Sequence, residues 1–369
     1  YIIHMRSEHN MYRNTYIEIN LINIKNNIKK IIDRYNDYTY YFGVVKADSY
    51  GHNGNMVVRS IVDGGVNYLA VATLEEALEI RRDLKEIPIL CLGIINPKYL
   101  KICEKNNITV TVSSLKYARA MIRKDLNNIK VHIKLNTGMN RLGIKDKNEF
   151  YEVYGLLKSR GIVIEGIYTH IYNADSREDT DKQINKYIEL TSDIDKDEVL
   201  IFHMFASDAL VLNDKIDFVN GCRLGIIMYG FTKDKSLDLS QTFRLISEVI
   251  QINILRKDET LGYNAIYKAE GNEKIAVIPC GYADGIIRKN TGRYVYINDK
   301  RYEIVGNICM DMLFVKVDDT VKEGDQVLII KDINHIEEIA KHLETIPYEV
   351  LCLVSKRVPR KYVEGVNYE

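Results

Sequence analysis

Eight short apolar runs recur in the first 230 residues, each closed by turn residues: "YYFGVV", "NYLAVA", "IPILCLG", "NITVTV", "KVHIKL", "IEGIYTH", "VLIFHMF" and "FVNGCRLGI". Each reads as a buried strand. Between most of them lies a stretch with helical spacing, such as Leu21 to Ile32, with apolar residues at 21, 24, 28, 31 and 32. Another begins at Thr73, where T-L-E-E sets a glutamate three residues after a capping threonine. Strand and helix alternating eight times predict an α/β fold, a (β/α)8 barrel of the TIM type, ahead of a doubly wound open sheet.

From about residue 244 the texture changes. "FRLISEVIQINIL", "KIAVIPCGY", "YVYINDKRYEIVG", "MLFVKV" and "DQVLII" follow one another with turns between them, "INDKRY" reads as a hairpin, and only "HIEEIAKHLE" looks helical. The expected organisation is a linker or tag remnant over 1–11, a barrel over 12–243 and a mainly β C-terminal domain over 244–369.

Charge excludes two partner classes. Lys+Arg and Asp+Glu number 51 each, so no global field draws the chain to nucleic acid or an anionic membrane. No apolar run approaches the roughly 18 to 20 residues that a membrane span requires. The six cysteines are scattered, without C-x-x-C pairs or zinc-ligand spacing, so no metal site is expected and the thiols are read as reduced. A small-molecule enzyme of the cytoplasm fits best.

In a barrel, catalytic groups come from the C-terminal ends of the strands. Those ends carry Lys46, Lys134 with Arg141 beyond it, His170, Ser207, and Arg223 with Gly225. Singly each has a plain explanation: a solvated turn lysine, a core histidine, a serine capping a helix. Together, an amine at a barrel mouth and a hydroxyl beside a Gly-containing turn suit a lysine Schiff base to a phosphorylated cofactor.

At these residues the chain resembles the bacterial alanine racemases, which use pyridoxal 5'-phosphate (PLP). "VVKADSYGHN", "KLNTGMNRLGI", "IYTHIYNAD", "CRLGIIMYG", "LGYNAIY", "PCGYADG", "VGNICMDM" and "SKRVPR" fall in that family's order and spacing, from about Tyr12 to Tyr362. The resemblance implies a homodimer with shared active sites, acting on alanine to supply D-alanine for peptidoglycan. It implies that Lys46 carries the cofactor and acts as one acid/base group, with Tyr263 of the partner subunit as the other. Two groups are required because the Cα proton leaves one face and returns to the other. A tyrosine with the ordinary pKa of about 10 is a poor base at neutral pH, so neighbours must favour its phenolate. The resemblance assigns that network to His170 and Arg223, with Arg223 facing the pyridine nitrogen. It further implies Tyr50, Ser207, Gly225 and Ile226 as phosphate ligands, Arg141 beside the phenolic oxygen, Met310 as a substrate contact and Lys134 as a carbamylated lysine.

Four positions depart from the family's usual residues: Asn136 for aspartate, Ala206 for asparagine, Leu224 for proline and, most tellingly, Lys356 for a tyrosine that reaches the phosphate and the substrate side chain. Lys356 alters the pocket's polarity, which keeps open the serine/alanine racemases of vancomycin resistance, whose racemase module is the cytoplasmic part of a membrane protein. A PLP-dependent decarboxylase usually sets a carboxylate at the pyridine nitrogen, which Arg223 argues against. A non-catalytic PLP-binding protein needs only a barrel.

Overall fold

A computed structural model of the chain describes residues 12–364, so the expected remnant over 1–11 lies outside the described residues. The chain divides into two compact units, one formed by residues 24–49 and 54–240, the other by residues up to 23, 50–53 and those from 241 on.

The first unit is a closed barrel of eight parallel strands: β2 (Tyr40–Val44), β3 (Tyr68–Val71), β4 (Ile89–Cys91), β5 (Ile108–Val112), β6 (Lys130–Lys134), β7 (Val163–Tyr168), β8 (Ile201–Ala206) and β9 (Gly221–Leu224). β2 pairs with both β3 and β9, which closes the ring. All eight expected runs supply a strand. Strands such as β3 and β5 are buried at every residue, the pattern of a parallel sheet covered on both faces. The helix over Leu21–Arg34 buries Ile24, Ile28 and Ile31 on one stripe. The helix over Leu74–Asp83 starts with the capping box read from T-L-E-E: Glu76 N–H donates to Thr73 Oγ1 at 3.3 Å, and Thr73 N–H to the Glu76 carboxylate at 3.2 Å.

The second unit is mainly β. Its six-stranded sheet runs β16 (Lys300–Glu303), β15 (Tyr294–Ile297), β18 (Gln326–Ile330), β10 (Phe243–Glu248), β1 (Tyr16–Asn20), β19 (Arg360–Val363). A three-stranded sheet orders β11 (Gln251–Leu255), β14 (Glu273–Ile278) and β17 (Leu313–Val317), and a ribbon joins β12 (Thr260–Leu261) to β13 (Tyr267–Lys268). The expected hairpin is present: Ile297 opposes Lys300, and Asn298 and Asp299 between them both take positive φ, as a two-residue type I′ turn demands. Two helices occur near the C-terminus, Ile333–Leu343 and Pro347–Leu353, where one was expected.

The main division falls at 240/241 where 243/244 was expected, and two earlier segments, residues up to 23 and 50–53, group with the later part of the chain. β1, at the start of the chain, pairs antiparallel with β10 and parallel with β19, and residues 50–53 also belong to the second unit. Arg360 holds residue 51 there: its guanidinium donates to the carbonyls of Gly51 (3.1 and 3.2 Å), Ser355 (2.7 Å), Val358 (2.7 Å) and Val354 (2.9 Å), a fork that a lysine cannot reproduce. Gly51 has φ +79°, and a Cβ there would strike the Leu351 carbonyl. No helix among the described residues is long and apolar enough to cross a membrane.

Candidate active site

Lys46 lies two residues past the end of β2, after Val45, and is half-buried. Its flanks are fixed: Val45 N–H donates to Ala70 O at 2.9 Å, and Ala47 N–H to Glu76 Oε1 at 2.7 Å. Ala47, Asp48, Ser49 and Tyr50 then form one left-handed turn, with φ of 52, 53, 54 and 56°. Each such residue costs L-amino acids about 1–2 kcal/mol, so the turn persists only where its surroundings impose it. Glu76 does this by accepting from Ala47 N–H and, through Oε2, from Ala72 N–H at 2.7 Å. The strand therefore delivers its amine to a point set by a helix N-terminus as well as by the barrel.

Arg223, in β9, is buried and donates to four acceptors: NH1 to His203 Nδ1 (2.7 Å), and NH2 to His170 Nδ1 (3.0 Å), Thr169 O (2.9 Å) and Met204 O (2.8 Å). None of the four is an acid. Burial draws the guanidinium down to about 10. His170 is held well below the ordinary imidazole range by burial first and then by Arg223, Lys134, Arg141 and Lys46. Every one of those charges is positive.

Lys134, the last residue of β6, is also buried, and its ammonium lies 4.7 Å from the centre of the Tyr168 ring. Burial, then Arg223 and Arg141, pull it down to about 7. Beyond it the chain folds back, Ile144 N–H donating to Lys134 O at 3.0 Å. Asn136 shapes that loop by accepting from Gly138 N–H (3.2 Å) and Asn140 N–H (3.0 Å), so the amide serves as a turn residue in place of aspartate. Arg141 is exposed on the same loop. On the β8 and β9 side, Gly225 N–H donates to Ser207 Oγ at 3.2 Å, and Ile226 opens a 3₁₀ turn.

The structure thus brings Arg223 onto His170, Ser207 onto Gly225, and the charges of Lys46, Lys134 and Arg141 to bear on His170. Tyr50, Tyr263, Met310 and Lys356 belong to the second unit. Tyr263 is 71 % exposed on a 3₁₀ turn after Gly262, its carbonyl accepting from Asn307 Nδ2 at 2.8 Å. Met310 and Lys356 are exposed, and the buried Tyr50 ring lies 5.8 Å from that of Tyr348. Sequence reasoning missed Glu76, Thr169 and His203. A histidine inside the otherwise apolar "VLIFHMF" was a signal, because a buried polar group needs a partner.

The chain matches the family models described as alanine racemase N-terminal domain, over residues 19–233, and alanine racemase C-terminal domain, over residues 242–362. It is 34 % identical over 368 residues to alanine racemase 1 of Bacillus subtilis strain 168, covering 96 % of this chain and 94 % of that one. Among solved structures, alanine racemase of Clostridium difficile 630 superposes with a TM-score of 0.91 at 34 % identity, covering 96 % and 97 % of the two chains. The alanine racemase of Bacillus anthracis, solved with bound L-Ala-P, gives 0.89 at 31 % identity and 96 % coverage of both.

Proposed function

We propose, from the premise that this chain belongs to the alanine racemase family, that it interconverts L- and D-alanine with PLP as cofactor, supplying D-alanine for peptidoglycan. The carrying observation is the buried Arg223, whose four acceptors are all neutral, beside a His170 on which the positive charges of Arg223, Arg141 and Lys46 bear. Such a cationic barrel mouth suits a ligand bearing a phosphate and a phenolic oxygen, so the residues present fit PLP.

In this reading Lys46 Nζ anchors the cofactor, Tyr50, Ser207 Oγ and the N–H groups of Gly225 and Ile226 hold its phosphate, and Arg141 lies beside its phenolic oxygen. Lys356 extends the phosphate side, and Met310 of the partner subunit borders the substrate carboxylate. When bound, PLP supplies an electron sink that acidifies the substrate Cα–H. Lys46 moves the Cα proton on one face and Tyr263 of the partner subunit on the other. His170 accepts from Arg223 through Nδ1, so its one proton sits on Nε2 and that nitrogen only donates. A donor aimed at a phenol oxygen favours the phenolate, the form in which Tyr263 is a base. Arg223, which keeps its proton, would face the pyridine nitrogen as a donor only, so the sink that PLP supplies would be weaker and side reactions fewer.

Lys134 at about 7 is a free amine in good part near neutral pH. That amine adds to carbon dioxide, releasing one proton and forming a carbamate whose charge pairs with Arg141. Protein equilibrated with carbon-13 bicarbonate is expected to show a carbamate resonance that Lys134→Ala lacks; its absence from the wild type would refute the modification.

Alanine rather than serine is the substrate. On PLP-loaded protein, L-alanine is expected to racemise at least about tenfold faster than L-serine, a difference of ~1.4 kcal/mol in transition-state binding, in both wild type and Lys356→Tyr. Comparable serine turnover that Lys356→Tyr abolishes would overturn this.

A further inference from the structure

Behind Arg223, inside the closed barrel, lies a hydrogen-bonded line of side chains that the mechanism above does not use. His203 Nε2 is 2.9 Å from His132 Nδ1, and His132 Nε2 is 3.3 Å from Glu165 Oε2. The line joins β9, β8, β6 and β7, and both histidine rings are fully buried.

Its protons can be arranged in only one way. Arginine has no acceptor, so the 2.7 Å bond from Arg223 NH1 requires a lone pair on His203 Nδ1 and puts the His203 proton on Nε2. That proton faces His132 Nδ1, which must accept, so the His132 proton lies on Nε2 and points at Glu165. A second proton on either ring would set two donors face to face, at His203 against Arg223 or at His132 against His203. Both imidazoles are therefore neutral and aligned, and Glu165 ends the line as acceptor.

The surroundings are built for this order. His203 is stacked between Phe42 (4.5 Å between centroids, 18°) and Tyr168 (4.7 Å, 7°), so its ring plane is locked. A Cβ on Gly166 would come within 2.5 Å of the His132 ring, so glycine there clears the space the ring occupies. Glu165 also accepts from Lys130 Nζ (2.8 Å), Tyr68 OH (2.6 Å) and Thr109 Oγ1 (3.3 Å). Burial opposes its charge, yet the bonds from His132, Lys130 and Tyr68 hold its carboxyl well below the ordinary range. His132 and His203 are both pushed down, by burial first; Glu165 pulls His132 the other way while Arg223 and Lys130 add to the fall, and Arg223, His132 and Lys134 add to it at His203.

We propose that Glu165 is a positioning residue for Arg223, acting through His132 and His203 as a one-way line of donors that orients the guanidinium and supports its charge. The inference rests on the reading that Arg223 faces the pyridine nitrogen. A buried guanidinium with no adjacent acid gains from an anion at the end of a polarised hydrogen-bonded chain. Without that anion Arg223 becomes a better proton donor toward the ring nitrogen, the sink strengthens, and side reactions grow relative to racemisation.

The test has two arms. Nitrogen-15 NMR of histidine-labelled protein, with and without PLP, is expected to show His132 and His203 as neutral Nε2–H tautomers throughout pH 6 to 9. An Nδ1–H tautomer or an imidazolium in that range would overturn the proposed order. Glu165→Gln keeps the shape and an acceptor but removes the charge. It is expected to raise the ratio of transamination to racemisation by roughly threefold to tenfold, the factor carried by up to one pKa unit, with KM for alanine little changed. Lys130→Met, at a partly exposed site, leaves the line intact and should not raise that ratio. A Glu165→Gln ratio equal to wild type, or a rise of the same size in Lys130→Met, would make Glu165 a packing residue only. A wild type that does not racemise alanine would sink the proposed function separately, whatever its tautomers.

Discussion

Replacing Lys46 by alanine is expected to lower alanine racemisation at least ~10⁴-fold while leaving the protein folded. In the proposed mechanism the effect is large because one amine has two tasks, anchoring the cofactor and moving a proton on one face of Cα, and general acid/base transfer alone contributes about 10²–10⁴. The fold should tolerate the change. The strain around the site lies in the left-handed turn over residues 47–50, and the bonds that impose it come from Glu76 and the backbone. Polarimetry on PLP-supplemented protein measures the loss, and a small primary amine should restore part of the rate. Activity within tenfold of wild type would remove Lys46 from the mechanism.

Replacing Tyr263 by phenylalanine is expected to reduce racemisation about 10²–10⁴-fold with a different signature. Lys46 still serves its own face, so in deuterated water one enantiomer of alanine should continue to exchange its Cα proton while the other keeps it. Equal exchange of both would show that Tyr263 is not the second base. The two variants together also test the sharing of sites. Tyr263 is 71 % exposed and suited to reach another copy of the chain. If sites form across a homodimer, mixing inactive Lys46→Ala and Tyr263→Phe chains produces mixed dimers with one intact site. Random reassortment then returns about one quarter of wild-type activity. No recovery after verified exchange of subunits would place both groups in one chain.

What could be read in the sequence shares one physical property: it depends on neighbours a few residues away. The eight strands were legible because burial on both faces imposes short apolar runs, and the Thr73 cap because its bonds span three residues. The placement of Lys46, His170, Ser207 and Arg223 at or just past strand ends was legible because the eight runs fixed where each strand stops, and collinear motifs carried the family.

What only the tertiary structure decided depends on groups distant along the chain. β1 joins a sheet whose other strands begin more than two hundred residues later, so no local pattern could place it. The left-handed turn after Lys46 is a conformation its own residues disfavour, imposed in part by Glu76. The line from Arg223 to Glu165 closes over separations of 20, 71 and 33 residues. Its parts look in sequence like stray polar residues in apolar strands. Only closing the barrel turns them inward together, where burial allows a single arrangement of protons.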